Sequence, residues 1–158
     1  MGTKLYNETV TLDKELERRL IEVYAKHLDI YNDCLKMLKS DPSVDFSKLR
    51  TVVRLRLLDE PPGTYIEDCI LNEIYYMEKQ YRDREIAFRT LDGVNYLTLR
   101  VSSYNNNVTK YNPEEKTLEL KGFPGVIRLP KELPYSPGVY LNISYSGRRK
   151  NFTVSVFE

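Results

Sequence analysis

Hydrophobic residues recur at helical spacing through the first half of the chain and at strand spacing through the second half. The longest helical pattern covers residues 11–42, where apolar side chains follow the i, i+3, i+4, i+7 spacing of an amphipathic helix. These side chains are Leu16, Leu20, Val23, Tyr24, Leu28, Tyr31, Leu35 and Leu38. Thr11 or Asp13 can cap the start of this helix, and Asp41-Pro42 predicts its end.

Two shorter helices are predicted next. In "DFSKLRTVVRLRLLDEPPG", Ser47 can cap a helix that Pro61-Pro62 ends. The alternation of residues 53–57 is also typical of a strand, but the cap and the prolines favour the helix. In "TYIEDCILNEIYYMEKQYRDRE", Thr64 and Glu67 have the spacing of a capping box. The apolar stripe of this third helix is Ile66, Cys69, Ile70, Ile74, Met77 and Tyr81.

Strand patterns lie at the N-terminus and after about residue 92. "TKLYNETVTL" is the first strand candidate. The later candidates are "VNYLTLRVSSY", "TLELKG", "GVIRLP", "GVYLNISYSG" and "NFTVSVFE". Short strands separated by Asn, Gly and Pro turn signals predict a small barrel or a curled sheet. The fold class is therefore α+β, with one shift in composition near Asp92-Gly93.

Charge does not assign the function by itself. The formal net charge is +1, divided as −3 over the first 94 residues and +4 over the rest. A strongly basic nucleic-acid-binding domain shows a larger excess, so clustering on the surface must supply the affinity if nucleic acid is bound. The chain has 13 Tyr and no Trp. Tyrosine can stack on bases or line a protein interface, but half-buried positions in helices and strands are the favoured explanation for these tyrosines.

Cys34 and Cys69 each stand alone, so no CxxC zinc or redox centre is predicted. Unpaired thiols are typical of a reducing, cytoplasmic setting. The N-terminus "MGTKLYNETV" lacks the apolar core of a signal peptide. No apolar run approaches the ~18 residues of a membrane span. We therefore expect an intracellular protein that binds no cofactor and no membrane.

Catalytic patterns are absent from the sequence. His27 is the only histidine and lies mid-helix, so a Ser-His-Asp or Cys-His site has no support. The acidic residues are spaced as a solvated helix face, and no glycine-rich phosphate loop is present. We expect a protein that is not an enzyme.

A basic run at the C-terminal hairpin is the main candidate for function. Arg148, Arg149 and Lys150 follow Gly147 at the predicted tip, with Tyr145 just before it and Phe152 just after it. Such a tip can contact phosphates while an aromatic ring stacks on a base. The alternative is a hairpin turn whose charges only increase solubility.

Further cations extend the candidate interface. Arg50 and Arg54 lie one helical turn apart and could form a second positive face, although exposed helix charges are the alternative. Arg128, in the predicted strand "GVIRLP", is the remaining residue assigned to nucleic-acid binding.

Short motifs of the strand region resemble a known family. They are Ser103-Tyr104, Leu118–Leu120, Gly125–Pro130, Leu141–Ser144 and Phe152–Val156. With the preceding helices, they resemble the N-terminal half of the TnpB (OrfB) transposon proteins, which are RNA-guided nucleases related to the type V CRISPR effectors.

The resemblance implies a domain organisation and a function. Residues 1–12 and 93–158 would form the family's wedge β-barrel, and residues 13–92 an inserted recognition lobe of three helices. The sequence reaches Glu158 before the family's RuvC nuclease domain, and the CxxC pairs of its zinc ribbon are missing. The implied function is non-catalytic binding of structured RNA or duplex DNA, as a regulator or competitor of an RNA-guided nuclease.

A second function stays open. The near-neutral charge also suits a mobile-element or viral adaptor or inhibitor that acts through protein contacts on a host complex. Tyr75, Tyr76 and Tyr81 would be its natural contact residues, because tyrosine is enriched at interface hot spots.

Overall fold

The computed structural model describes residues 3–59, 65–91, 97–101, 109–134 and 139–158. Within these residues the protein is α+β, which confirms the predicted fold class. The helices are α1 (Lys14–Ser40), α2 (Phe46–Arg56) and α3 (Tyr65–Tyr81). The strands are β1 (Lys4–Leu12), β2 (Leu97–Val101), β3 (Thr109–Asn112), β4 (Thr117–Leu120), β5 (Ile127–Arg128), β6 (Tyr140–Ser146) and β7 (Asn151–Phe157).

The chain divides into two compact units. The sheet unit contains residues 1–24 and 92–158, and the helical unit contains residues 25–91. Residues 13–24, which the sequence analysis placed with the helices, belong in the structure to the sheet unit. Residues 14–24 are the beginning of α1, and the rest of α1 belongs to the helical unit.

The long helix has the predicted extent. Leu16, Leu20 and Leu35 of its apolar stripe are fully buried. Thr11 was wrong as a cap, because it belongs to β1. Asp13 does precede the helix, and its backbone oxygen accepts a hydrogen bond from Glu17 N at 2.9 Å.

The second helix is a helix rather than a strand, as the sequence favoured. Leu49 and Val53 are fully buried along one side of α2. The predicted cap at Ser47 was wrong, because Asp45 holds that position. Asp45 has an extended backbone, and its carboxylate accepts a hydrogen bond from Lys48 N at 3.1 Å. Aspartate in this conformation satisfies a free N–H group of the first turn.

The third helix also follows its predicted stripe. Cys69, Ile70, Ile74 and Met77 are buried. The proposed capping box cannot be examined, because Thr64 lies outside the described residues.

The strands of the sheet unit form one antiparallel sheet that curls into a half-barrel, in the order β2-β6-β7-β1-β5-β4-β3. β1 lies between β7 and β5, so the N-terminal strand joins the two parts of the sheet. Successive side chains of a strand point to opposite faces of the sheet. The side chains that point into the core are those of Leu141, Ile143, Val154 and Val156.

The sequence predicted five strands after residue 92, and the described residues contain six. The missed strand is β3, in which only Thr109 is buried. Its polar sequence, TKYN, has no apolar alternation, and it becomes a strand by pairing with β4. The motif Ser103-Tyr104 lies outside the described residues.

Candidate nucleic-acid interface

The turn between β6 and β7 carries the predicted cations at its surface. β6 and β7 pair up to Ser146 and Asn151, which leaves residues 147–150 as the connection. We call these four residues the basic turn. Arg148, Arg149 and Lys150 are all exposed.

Ser146 accepts two hydrogen bonds from the backbone of the basic turn. Its backbone oxygen accepts a hydrogen bond from Lys150 N at 2.7 Å, and its Oγ accepts one from Arg149 N at 3.2 Å. Ser146 is itself only 4% exposed. Three long cationic side chains therefore extend from a backbone that is held by a buried residue.

Lys150 adopts a backbone conformation that lysine rarely takes. Its φ is +56°, in the left-handed region that glycine and asparagine favour. A side chain there costs about 1 kcal/mol relative to an ordinary conformation. Lys116, in the turn between β3 and β4, has nearly the same φ of +55°. That second turn contains Glu114 and Glu115 and is not basic.

The cations of the basic turn are not paired with the acidic residues that the structure describes. In the described parts of the chain, no acidic side chain forms an ion pair with Arg148, Arg149 or Lys150. Other cations of the same unit are paired, as Lys131 is with Glu8 at 2.8 Å. The charges of the turn are therefore available to an external anion.

The aromatic residues beside the turn face the core. Tyr145 and Phe152 are opposite each other in the hairpin register, and they are 7% and 4% exposed. Their rings lie 4.8 Å apart, and Tyr24 stacks on Tyr145 at 6.2 Å. The Tyr24 hydroxyl donates a hydrogen bond to the Ile143 oxygen at 2.6 Å. Because its ring is covered in this way, Tyr145 is not presented for stacking on a base, contrary to the sequence-based expectation.

Arg128 lies at the same end of the sheet as the basic turn. It pairs in register with Thr11 of β1, and the preceding β1 residue, Val10, pairs with Phe152 of β7. Since β1 alone separates β5 from β7, the two strands are roughly 10 Å apart. Arg128 is exposed, and its guanidinium contacts the Asp13 carboxylate at 3.2 Å. An ion pair this exposed contributes little stability and can exchange for an external anion.

The other two predicted cations belong to the helical unit. Arg50 and Arg54 are exposed one turn apart on α2. Arg54 Nε contacts Glu67 of α3 at 3.0 Å, so its charge is partly neutralised. Arg50 forms no ion pair with the residues that the structure describes.

The helical unit also carries exposed aromatic side chains. Tyr76 of α3 is 58% exposed and Tyr75 is 36% exposed, whereas Tyr81 is half-buried. These tyrosines are predictable contact residues from the sequence, whereas Phe46 and Lys79, which contact Tyr75, were not predicted. The i, i+4 spacing of Tyr75 and Lys79 on a predicted helix was the available signal.

Metal-binding groups and His27 are the remaining candidates for a functional site among the described residues. The described residues contain no group of three His, Cys, Asp or Glu side chains that could hold a metal ion. His27 is buried, and its Nε2 has no hydrogen-bond partner in the described residues. Burial lowers the pKa of His27 to about 4, with a smaller contribution from the nearby Lys26 charge.

Comparison with known proteins adds no relative. No protein-family model matches the chain, and no curated protein matches it significantly. The resemblance to the TnpB proteins therefore stays a prediction from the sequence. In the described part of the chain, no helix is both long enough and apolar enough to cross a bilayer.

Proposed function

We propose that this protein binds structured RNA or duplex DNA without cleaving it, and that the basic turn is the main contact with phosphate. The observation that carries the proposal is the charge of Arg148, Arg149 and Lys150. These three consecutive residues are exposed, and none pairs with a described acidic side chain. The turn's backbone is held by Ser146, so binding requires little ordering of the main chain.

The low net charge of the whole protein is compatible with this proposal. Phosphate binding depends on cations at the interface, because each neutralised phosphate releases condensed counterions. The basic turn supplies three cations within four residues, and Arg128 adds one at the same end of the sheet. Many other charges are paired, as Lys26 is with Asp59 and Arg56 with Asp33.

The biological role that we propose rests on the sequence resemblance. A protein that resembles the wedge and recognition lobes of TnpB would act as a regulator or competitor of an RNA-guided nuclease. Its partners would then be the structured guide RNA of that nuclease or the adjoining duplex DNA. The feature of the fold that supports this role is the curled sheet that includes the N-terminal strand.

Binding of the purified protein to a structured RNA and to a duplex DNA tests the proposal. The informative variant is Arg148→Glu/Arg149→Glu, and its matched control is Lys116→Glu/Lys121→Glu. Lys116 and Lys121 are exposed at the β3–β4 turn and just after β4, and the control makes the same change in net charge. We expect the first variant to lose at least tenfold in affinity, and the control to bind within about threefold of wild type. Equal losses in both variants would contradict a specific role for the basic turn.

A further inference from the structure

An aromatic cluster lies on the surface of the helical unit, where the start of α2 meets α3. It consists of Phe46, Tyr75 and Tyr76. The Phe46 and Tyr75 ring centroids are 5.3 Å apart at an interplanar angle of 83°, and those of Tyr75 and Tyr76 are 5.6 Å apart at 71°. Both contacts are edge-to-face, an arrangement that aromatic pairs favour. The three rings thus support one another.

The two tyrosines lie outside the fully buried core of the helical unit. The buried side of α3 is filled by Ile70, Ile74 and Met77, none of which is more than 2% exposed. Tyr75 and Tyr76 are on the exposed side, where they retain 36% and 58% of their accessible surface. Phe46, from α2, packs edge-to-face against Tyr75, and part of the Tyr75 ring stays exposed to solvent.

A cation accompanies these rings. Nζ of Lys79 lies 4.6 Å from the centroid of the Tyr75 ring. Lys79 forms no ion pair with any acidic side chain that the structure describes. The surface therefore combines exposed aromatic faces with a cation that forms no ion pair with a described acidic side chain.

Charge complementarity favours one kind of ligand. The ligand that matches aromatic faces beside a cation is a polymer in which each monomer has a planar ring and one negative charge. Single-stranded nucleic acid has this chemistry, and proteins bind it by stacking bases on aromatic side chains next to positive charges. A protein partner could also use exposed tyrosines, but it would leave Lys79 unneutralised unless it were acidic.

We propose that the aromatic cluster and Lys79 form a stacking platform for unpaired bases. This inference rests on the proposed function, and it specifies that the bound nucleic acid includes unpaired nucleotides. Bases inside a duplex are covered on both faces by their neighbours, whereas bases in loops, bulges and single strands can be splayed onto an aromatic ring. Loss of one stacking ring weakens binding by about fivefold to 150-fold, the range found for base–aromatic stacking.

Fluorescence anisotropy with two labelled probes tests the platform. One probe is a single-stranded oligouridine, and the other is a blunt-ended duplex with the same number of phosphates. We expect Tyr76→Ala to weaken binding of the single strand by at least fivefold and to leave duplex binding unchanged. Tyr76→Phe keeps the ring and should bind both probes as the wild type does.

Phe88→Ala is the matched control. Phe88 is a second half-exposed aromatic residue of the helical unit, and Lys39 Nζ lies 5.6 Å from its ring centroid. It lies outside the aromatic cluster, so we expect its removal to change neither probe's affinity. Thermal melting of each variant establishes that the fold is retained.

The outcomes separate this inference from the proposed function. The stacking platform would be overturned if Tyr76→Ala bound the single strand as tightly as the wild type does. It would also be overturned if Tyr76→Ala and Phe88→Ala lost the same affinity for the single strand. The basic turn would then still be supported if Arg148→Glu/Arg149→Glu lost affinity for the duplex. If the wild-type protein bound neither probe at low salt, both proposals would be overturned, and a protein ligand would be favoured for the tyrosines.

Discussion

A Cβ atom on Gly125 would lie 2.8 Å from Oδ2 of Asp13 and 2.9 Å from its Cβ. Gly125 has a φ of +71°, which glycine adopts without strain. Asp13 accepts hydrogen bonds from Val126 N at 3.0 Å and from Arg128 Nη2 at 3.2 Å. The glycine leaves room for this carboxylate, which links the β1–α1 junction to Val126 and Arg128.

Gly125→Ala tests the importance of that junction, with Gly122→Ala as its control. Gly122 also has a positive φ, +84°, but nothing lies within 4 Å of the position of its Cβ. We expect Gly122→Ala to lower the free energy of unfolding by about 1 kcal/mol, from backbone strain alone. Gly125→Ala should lower it by about 3 kcal/mol, because it also displaces the Asp13 carboxylate. Equal losses in urea denaturation would show that the contact with Asp13 is unimportant.

Lys150→Gly should separate stability from binding. Glycine relieves the left-handed strain at this position, so we expect a gain of up to about 1 kcal/mol in unfolding free energy. Affinity for nucleic acid should fall severalfold, since one cation of the basic turn is lost. Lys116→Gly is the control, because Lys116 has nearly the same φ. It should gain the same stability without losing affinity, and a loss of affinity in it would argue against a local site.

Asn32 holds the backbone of Arg89 by two hydrogen bonds. Its Nδ2 donates to the Arg89 oxygen at 2.8 Å, and its Oδ1 accepts from Arg89 N at 2.9 Å. Asn32→Ala should cost about 2 kcal/mol of unfolding free energy, since two partly buried backbone groups lose their partners. Hydrogen exchange at the Arg89 amide should accelerate. An Arg89 amide that stays protected in the variant would contradict this assignment.

Burial of His27 predicts a loss of stability in mild acid. Its pKa is lowered from 6.5 to about 4 in the folded protein, so between these values the unfolded chain binds the extra proton. The contribution is complete above about pH 7.5 and falls as the pH decreases, by about 2.5 kcal/mol when the pH reaches about 4.5. His27→Gln should lack this part of the pH dependence. Identical pH profiles of the variant and the wild type in urea denaturation would contradict the assignment.

Periodicity in the sequence was sufficient to predict the helices. It did not predict their first residues, because neighbouring residues were equally suitable as caps. Leu16, Leu20 and Leu35 lie on the buried side of α1, as their spacing predicts. Asp45 rather than Ser47 caps α2. The sequence could not distinguish them, because both residue types are suitable caps and only the backbone conformation shows which one is used. β3 was missed because its partner, β4, determines that it is a strand.

The candidate site was predictable only in part. The exposure of Arg148 and Arg149 follows from their place in a hairpin turn. The side to which Tyr145 points depends on the pairing of β6 and β7, and one residue of shift would reverse it. The approach of Arg128 to the basic turn depends on β1, more than 100 residues earlier in the chain, pairing with both β5 and β7.

The salt dependence of binding tests the central proposal most directly. For a duplex DNA, the slope of log affinity against log salt concentration changes by about 0.9 for each phosphate contact. We expect Arg148→Ala/Arg149→Ala to make that slope shallower by about 2 relative to wild type, and Lys116→Ala/Lys121→Ala to leave it unchanged. An unchanged slope in the Arg148/Arg149 variant, or no binding by the wild-type protein at low salt, would contradict the assignment of the basic turn to phosphate contact.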